Sequence, residues 1–154
     1  MPTDLRHELR QQKPFGSLAH EAFLSIARTE SVLREGIERV LGPRGLTLTQ
    51  YNVLRVLRGA EAGGLCRNDI RDRLVARMPD VSRLLDRMEA AGLIQRERST
   101  EDRRLVLTTL TARGRRLVND LDAPMAQAHE EQLGHLGAKQ LKSLIALLAL
   151  AREA

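Results

Sequence analysis

The sequence is poor in cysteine and in aromatic residues and has no long apolar run. It contains one cysteine, Cys66, which excludes an internal disulfide and fits a reducing compartment. Tryptophan is absent and aromatic residues make up only 2% of the chain, so aliphatic side chains and methionine must fill the core. The longest apolar run, Leu144 to Ala151, has eight residues, whereas roughly 20 are needed to span a bilayer. With a polar N-terminus and no signal-peptide pattern, we expect a cytoplasmic protein.

The sequence also lacks the spacings typical of enzymes and metal sites. It has no G-x-S-x-G, no phosphate-binding loop and no paired Cys/His pattern of the kind that binds zinc. His129 and His135 are separated by Gly134 and do not share a helix face at metal-ligand spacing. We therefore expect no enzymatic activity, no catalytic residue, no metal and no cofactor.

Positive charge is concentrated in one part of the chain. The net charge is +5, and residues 67–116 hold 13 arginines against 8 acidic residues, so this block accounts for the whole surplus. A localised basic region favours a polyanionic partner, with nucleic acid as the first choice. The alternative interpretation is a solvated, arginine-rich surface without a ligand.

Apolar periodicity predicts one long helix followed by shorter ones. Residues 1–16 resemble a loose arm, and a helix of about 24 residues then runs from Ser17 to a Gly-Pro stop. Thr47 and Gln50 have the spacing of a capping box, which predicts that a second helix begins directly afterwards. A third, short helix follows with Cys66 at its N-cap.

The second half of the basic block predicts another helix and then a hairpin. Met78–Ala91 has an apolar face at helical spacing, and Pro79 suits its first turn. Two β-like runs around a charged tip predict a hairpin within residues 94–111. Thr111 should cap a further helix that Pro124 kinks or splits, and a last amphipathic helix follows a glycine-containing break.

Three short helices followed by a hairpin predict a winged helix-turn-helix in a mainly α protein with a small β-wing. In such proteins the second helix of the pair lies in the major groove and its N-terminal residues meet base edges. Here that helix is Met78–Ala91, whose polar face can contact bases and phosphates. The candidate DNA-binding residues on and beside it are Arg77, Pro79, Asp80, Ser82, Arg83 and Arg87.

The hairpin adds a second set of candidate DNA-binding residues. Arg96 and Arg98 alternate along the first strand and could reach flanking phosphates, and Arg103 and Arg104 lie at the tip. An arginine at a hairpin tip can enter the narrow, electronegative minor groove of A·T-rich DNA. Asp102 could hold the tip by pairing with the Arg104 guanidinium or by bonding the hairpin backbone; both alternatives remain open.

Three segments carry a resemblance to a known family. The runs GLTLTQYNVLRVLRG, PDVSRLLDRMEAAGLI and RERSTEDRRLVLTTLTARG resemble the MarR family of bacterial transcriptional regulators. The D-x-R of its wing is met by Asp102 and Arg104, and its LT-x-x-G by Leu110, Thr111 and Gly114. The resemblance implies an obligate homodimer, a palindromic operator and a minor-groove contact by Arg104. It also implies small effectors, often aromatic or phenolic, that weaken DNA binding.

The amphipathic terminal helices support the dimer independently, since one small lobe cannot cover both of them. We divide the chain into an arm (1–16), a dimerisation helix (17–45), a winged helix-turn-helix lobe (46–110) and C-terminal dimerisation helices (111–154). The alternative is that these helices pack only within one chain. A second alternative, for function, is an architectural or protein-interaction module without an effector.

Three single residues allow two interpretations each. Cys66 is either a half-buried structural residue, which we favour, or a thiolate stabilised by the following helix. His20 is either a helix-surface residue or part of a sensory pocket. Tyr51, the only tyrosine, either packs at a helix start or lines a ligand cavity. The sequence leaves the residues of an effector pocket undefined.

Overall fold

A computed structural model describes residues 3–60 and 62–153 of the chain. The chain divides into two compact units, Met1–Gly36 and Ile37–Ala154, and one long helix passes through the boundary between them. Each unit is described separately below.

The first unit begins with a short helix, α1 (Leu5–Glu8), inside the segment that we had predicted to be a loose arm. That prediction is wrong for these residues. The Asp4 carboxylate accepts a hydrogen bond from the backbone N–H of Arg6 at 3.1 Å, and the Arg6 guanidinium donates to the carbonyl of Gln12 at 3.1 Å. An aspartate before a helix satisfies N–H groups that lack a partner within the helix, so even a single turn can form here.

The predicted long helix is confirmed as α2 (Leu18–Leu41), which has 24 residues. Its first turn is held by the Ser17 hydroxyl, which accepts a hydrogen bond from the backbone N–H of His20 at 3.1 Å. Apolar residues on its first half are exposed, with Phe23 at 69% and Ile26 at 46%.

The second unit holds the remaining elements around one core. After the end of α2 they are a 3₁₀ turn (Gly42–Arg44), α3 (Leu48–Arg58), β1 (Leu65–Cys66), α4 (Arg67–Arg73), α5 (Ser82–Ala90), β2 (Ile94–Arg98), β3 (Val106–Leu110), α6 (Ala112–Asp120), α7 (Asp122–Leu133), a second 3₁₀ turn (Gly134–Leu136) and α8 (Gly137–Ala151).

The capping box at the start of α3 is confirmed. The hydroxyl of Thr47 accepts from the backbone N–H of Gln50 at 3.2 Å, and the Gln50 side chain accepts from the backbone N–H of Thr47 at 3.0 Å. Two N–H groups without helical partners are thereby satisfied, which fixes where the helix-turn-helix begins.

The predicted helix over Met78–Ala91 is too long at its start, because α5 begins at Ser82. Pro79 therefore lies in the preceding loop and not in the first turn. The residue before a proline is disfavoured in α conformation, which acts against a helical Met78. The Asp80 carboxylate then accepts the backbone N–H of Ser82 at 2.8 Å, a local bond that competes with helix and places the first turn after it.

The predicted hairpin is present, but it belongs to a three-stranded antiparallel sheet with the order β1-β3-β2. The central strand β3 pairs with β2 from Ile94 opposite Leu110 to Arg98 opposite Val106. The two-residue strand β1 pairs with its other edge, with Leu65 opposite Thr108. Two residues are too few to show the alternation that identifies a strand, so the sequence did not predict β1.

One aliphatic core joins the helices of the second unit to the sheet. Tyr51 belongs to it with 5% exposure, so the packing interpretation of this residue is confirmed. The large side chains with less than 2% exposure are Leu41, Val53, Leu54, Ile70, Val81, Leu85, Met88, Ile94, Val118 and Leu121, with Thr108.

The LT-x-x-G segment joins α6 to the turn that follows α5. The Thr111 hydroxyl donates to the carbonyl of Gly92 at 2.6 Å and accepts from the backbone N–H of Gly114 at 3.0 Å, so its predicted capping role is confirmed. The backbone N–H of Thr111 donates to the carbonyl of Leu93 at 3.1 Å. A Cβ at position 114 would overlap that same carbonyl oxygen, so the close approach of these two backbones requires glycine.

We expect Gly114→Ala to lower the free energy of unfolding by about 1–3 kcal/mol, since the helix must move away from the Leu93 carbonyl. Urea unfolding followed by circular dichroism measures this change. Gly59→Ala is the matched control, because its added Cβ meets only the carbonyl oxygens of Arg55 and Val56, at ordinary distances of 3.5 and 3.9 Å. Equal unfolding midpoints for the two variants would contradict this explanation of the glycine.

Helices α6 and α7 meet at a single residue. Leu121 is both the C-cap of α6 and the N-cap of α7, and its carbonyl accepts from the backbone N–H of Met125 at 3.0 Å. The predicted division of this helix is thus confirmed, and Pro124 lies in the first turn of α7, where a proline costs no hydrogen bond.

An ion pair ties α3 to this junction. The Arg58 guanidinium donates to both carboxylate oxygens of Asp122 at 2.8 Å and to the Asn119 side chain at 2.9 Å. The hydrogen bonds from Arg58 hold the pKa of Asp122 below its usual value, so the carboxylate stays charged and the forked pair persists.

Helix α8 is the most apolar segment of the chain, yet none of its residues, all of them described, is buried. Ile145 and Leu147 are each 65% exposed and Leu150 is 63% exposed. Within the described residues, no helix is long and apolar enough to cross a membrane.

Candidate nucleic-acid interface

The outer face of α5 presents two exposed arginines, Arg83 and Arg87. Arg83 and Arg87 are one turn apart and exposed, and neither side chain forms a hydrogen bond or ion pair with a described residue. The opposite face is committed to the core through Leu85 and Met88. The helix can therefore offer two guanidinium groups to an external anion without loss of packing.

The start of α5 is fixed by a short polar network that the sequence did not predict. Arg67, at the start of α4, donates to the Ser82 hydroxyl at 3.1 Å, and Asp80 accepts the Ser82 backbone N–H. That hydrogen bond is the main cause of a lowered pKa for the Asp80 carboxyl. Asp80 and Ser82 thus set the position of the helix start. Arg67 was missed because its partner lies 15 residues away.

Arg77 and Pro79 lie in the exposed loop between α4 and α5. They border the helix start without belonging to it, so they flank the face that carries Arg83. In the same loop, the backbone N–H of Val75 donates to the Asn52 side chain at 2.8 Å. The loop is therefore anchored to α3 immediately before these two residues.

At the wing tip, Asp102 bonds the backbone and not a guanidinium. Its carboxylate accepts the backbone N–H of Arg104 at 3.0 Å, and its carbonyl accepts the N–H of Leu105 at 3.0 Å. The Ser99 hydroxyl accepts the N–H of Glu101 and of Asp102 at 3.2 and 3.3 Å. These bonds hold the turn while the Arg104 side chain stays exposed, with no hydrogen bond or ion pair to a described residue.

Two further arginines of the wing differ in the contacts that their side chains make within the protein. Arg98 is exposed and donates to the carbonyl of Arg103 at 3.4 Å, a long contact that a phosphate could replace. Arg103 is exposed at the tip beside Arg104. The wing therefore presents one guanidinium group at the end of β2 and two in the turn that follows it.

Arg96 is the exception among the predicted phosphate contacts. Its guanidinium donates to Asp86 at 2.6 Å and to both carboxylate oxygens of Glu89 at 3.1 Å, and its side chain is only 24% exposed. These charge-assisted bonds raise the pKa of Arg96 and lower that of Glu89. The expectation that Arg96 is free to reach a phosphate does not agree with this geometry.

A cleft of about 370 Å³ separates the wing from the start of α4 and α5. Arg67, Arg96 and Arg104 line it together with Asn68 and Ser82. Because Arg96 is held by Asp86 and Glu89, the exposed guanidinium of Arg104 is the group in this recess that is best suited to an anionic backbone.

Cys66 and His20 have the structural environments that we favoured. Cys66 is half-buried at the N-cap of α4, and its Sγ donates to the Asp69 carboxylate at 3.1 Å. His20 is exposed on α2, and its ring meets Phe15 edge-on at 5.9 Å between centroids. Among residues 3–60 and 62–153, no three His, Cys, Asp or Glu side chains gather as a metal-binding group.

Comparison with known proteins identifies this arrangement. The model of the MarR family matches residues 44–105. The HTH-type transcriptional repressor Rv2887 of Mycobacterium tuberculosis is 31% identical over 121 residues, which cover 79% of this chain and 86% of that protein. A MarR transcription factor from Planctomyces limnophilus is 42% identical, with a TM-score of 0.67 over 89% of this chain and 99% of that one. The transcriptional repressor CouR, whose structure was solved bound to a 23-mer DNA duplex, is 26% identical to this chain. Its TM-score is 0.78, and the match covers 92% of this chain and 99% of CouR.

Proposed function

Since this chain belongs to the MarR family and is a DNA-binding transcriptional regulator, not an enzyme, we propose that it is a cytoplasmic homodimeric repressor of a palindromic operator. In this proposal α5 enters the major groove and the β2–β3 wing enters the adjacent minor groove. A small-molecule effector releases the complex.

The observation that carries this proposal is the contrast between paired and unpaired arginines. Arg58 and Arg96 are held by carboxylates. The side chains of Arg83 and Arg87 on α5, and of Arg104 on the wing, make no hydrogen bond or ion pair with a described residue, although Arg83 lies close enough to Asp80 to help lower the pKa of that carboxyl. Unpaired guanidinium groups on two neighbouring elements suit simultaneous contact with base edges and phosphates.

Exposed apolar residues support the dimer. Phe23 is 69% exposed in the first unit, and Ile145, Leu147 and Leu150 are each more than 60% exposed in the second. Large apolar side chains as exposed as these are stabilised when a second copy of the chain covers them. Twofold pairing would place two recognition helices about 34–36 Å apart, in successive major grooves.

Membership of the family favours a small aromatic or phenolic effector. A panel of phenolic and aromatic carboxylic acids, added to the preformed protein–DNA complex, tests this proposal. We expect at least one compound to lower DNA affinity in a saturable way. A complex unaffected by the whole panel would favour a module without an effector.

Selection of bound duplexes from a random-sequence library tests the DNA-binding proposal directly. We expect an inverted repeat, with affinity that falls as salt rises with a log–log slope of about −0.9 per phosphate neutralised. Equal recovery of all sequences would support the architectural alternative. No retention of any duplex at low salt would contradict DNA binding itself.

For Arg83→Ala we expect relaxed sequence preference at one base position of each half-site. Loss of a bidentate base contact costs about 1–3 kcal/mol. Binding to the selected duplex and to single-base variants measures the loss at each position. Arg116→Ala removes the same charge from α6 and is the control. A uniform loss across all duplexes would make Arg83 a phosphate contact instead.

A further inference from the structure

The Arg96 cluster, defined as Arg96 on β2 with Asp86 and Glu89 on α5, is the strongest polar link between the wing and the recognition helix. Asp86 and Glu89 are three residues apart and therefore share one side of the helix. The guanidinium bridges them with three hydrogen bonds of 2.6–3.1 Å. A planar group that bonds two carboxylates at once fixes both the distance and the angle between its two elements.

Three of the five N–H donors of Arg96 are used within the protein. Nη2 bonds both Asp86 and Glu89, and Nε bonds Glu89. A phosphate contact through these atoms would leave two carboxylates on the DNA-facing helix without their counter-charge. The other wing arginines have no such commitment, since Arg98 is exposed and makes only a 3.4 Å contact with a carbonyl.

We propose that Arg96 is a positioning residue for DNA recognition: it sets the angle between α5 and the wing through Asp86 and Glu89, and compensates their charge. This inference rests on the proposed DNA-binding function. Without Arg96, the wing and the helix could no longer engage neighbouring grooves as one rigid body. The two carboxylates would also repel the phosphate backbone.

A double-mutant cycle distinguishes this role from a direct DNA contact, because coupling appears only between residues that act through each other. The protein comprises residues 1–154, and the probe is the duplex selected from the random-sequence library. Affinity is measured for wild type, Arg96→Gln, Asp86→Asn/Glu89→Gln and the triple variant. Arg96→Lys keeps the charge without the fork and serves as a second probe if the glutamine variant unfolds.

We expect Arg96→Gln to lower affinity about tenfold in the wild-type background and less than about twofold in the Asp86→Asn/Glu89→Gln background. Circular dichroism must show equal helix content for each protein, so that loss of fold is not counted as loss of affinity. Amide hydrogen exchange without DNA should show faster exchange in β2 and α5 for Arg96→Gln, because the two elements are no longer joined.

The positioning role would be overturned if Arg96→Gln lowered DNA affinity equally in the two backgrounds, or did not lower it in the wild-type background. The proposed function would stand in either case, provided that the wild-type protein binds the duplex. Unchanged exchange in β2 and α5 would overturn it as well. If the wild-type protein retains no duplex, the proposed function fails and this inference fails with it.

Discussion

Arg104→Ala will reduce operator affinity by roughly 10- to 100-fold without a change in thermal stability. The side chain is exposed at the wing tip and makes no hydrogen bond or ion pair with a described residue. The bond that holds the tip uses the backbone N–H of residue 104 and the Asp102 carboxylate, so alanine preserves it. Loss of one charged groove contact in each half-site accounts for the expected change.

Fluorescence anisotropy with the selected duplex at fixed salt measures this loss, and thermal unfolding verifies the fold. Arg116→Ala removes one positive charge from exposed α6 and should bind within about twofold of wild type. If both variants lose affinity equally, net charge and not the wing explains the binding. Wild-type affinity for Arg104→Ala would remove the wing tip from the interface.

A carboxylate on the apolar face of α8 should separate the dimer. Ile145 is 65% exposed in one chain, and its burial against a second copy would contribute about 1.5–3 kcal/mol per side chain. Because twofold symmetry places each substitution twice in the interface, Ile145→Glu should weaken dimerisation by roughly a thousandfold. Sedimentation should then show a species of 17.2 kDa at concentrations where wild type has twice that mass.

Gln140→Glu is the matched control, since it adds a carboxylate to an exposed polar position of the same helix. We expect it to remain dimeric. DNA binding should be lost together with dimerisation in Ile145→Glu, because one lobe contacts only a half-site. A dimeric Ile145→Glu protein, or a monomeric wild type, would contradict the role given to α8.

Local patterns in the sequence were sufficient for most of the fold. The capping box of Thr47 and Gln50 marked the start of α3, and Thr111 marked α6, because both signals involve residues three apart. The apolar stripes likewise predicted α2 and the helix-turn-helix, because a helical stripe repeats between residues that are close in the sequence. The family resemblance added the glycine at position 114, whose cause is a contact with Leu93 that only the folded backbone shows.

The remaining differences arise from contacts between distant residues or from competing local bonds. Arg96 looked like a phosphate ligand because its strand position is exposed in an isolated hairpin. In the folded lobe α5 brings two carboxylates to it from 7 and 10 residues away. The start of α5 was placed too early because Pro79 suits a first helical turn, whereas Asp80 uses its carboxylate to delay that turn.

The junction at Leu121 has a mechanical consequence. Because one residue ends α6 and begins α7, no flexible loop separates the two helices. Arg58 holds the same point through Asn119 and Asp122, so we expect a tilt of α3 to move α6 and α7 with it. We expect a ligand that displaced one of these helices to displace the others as well.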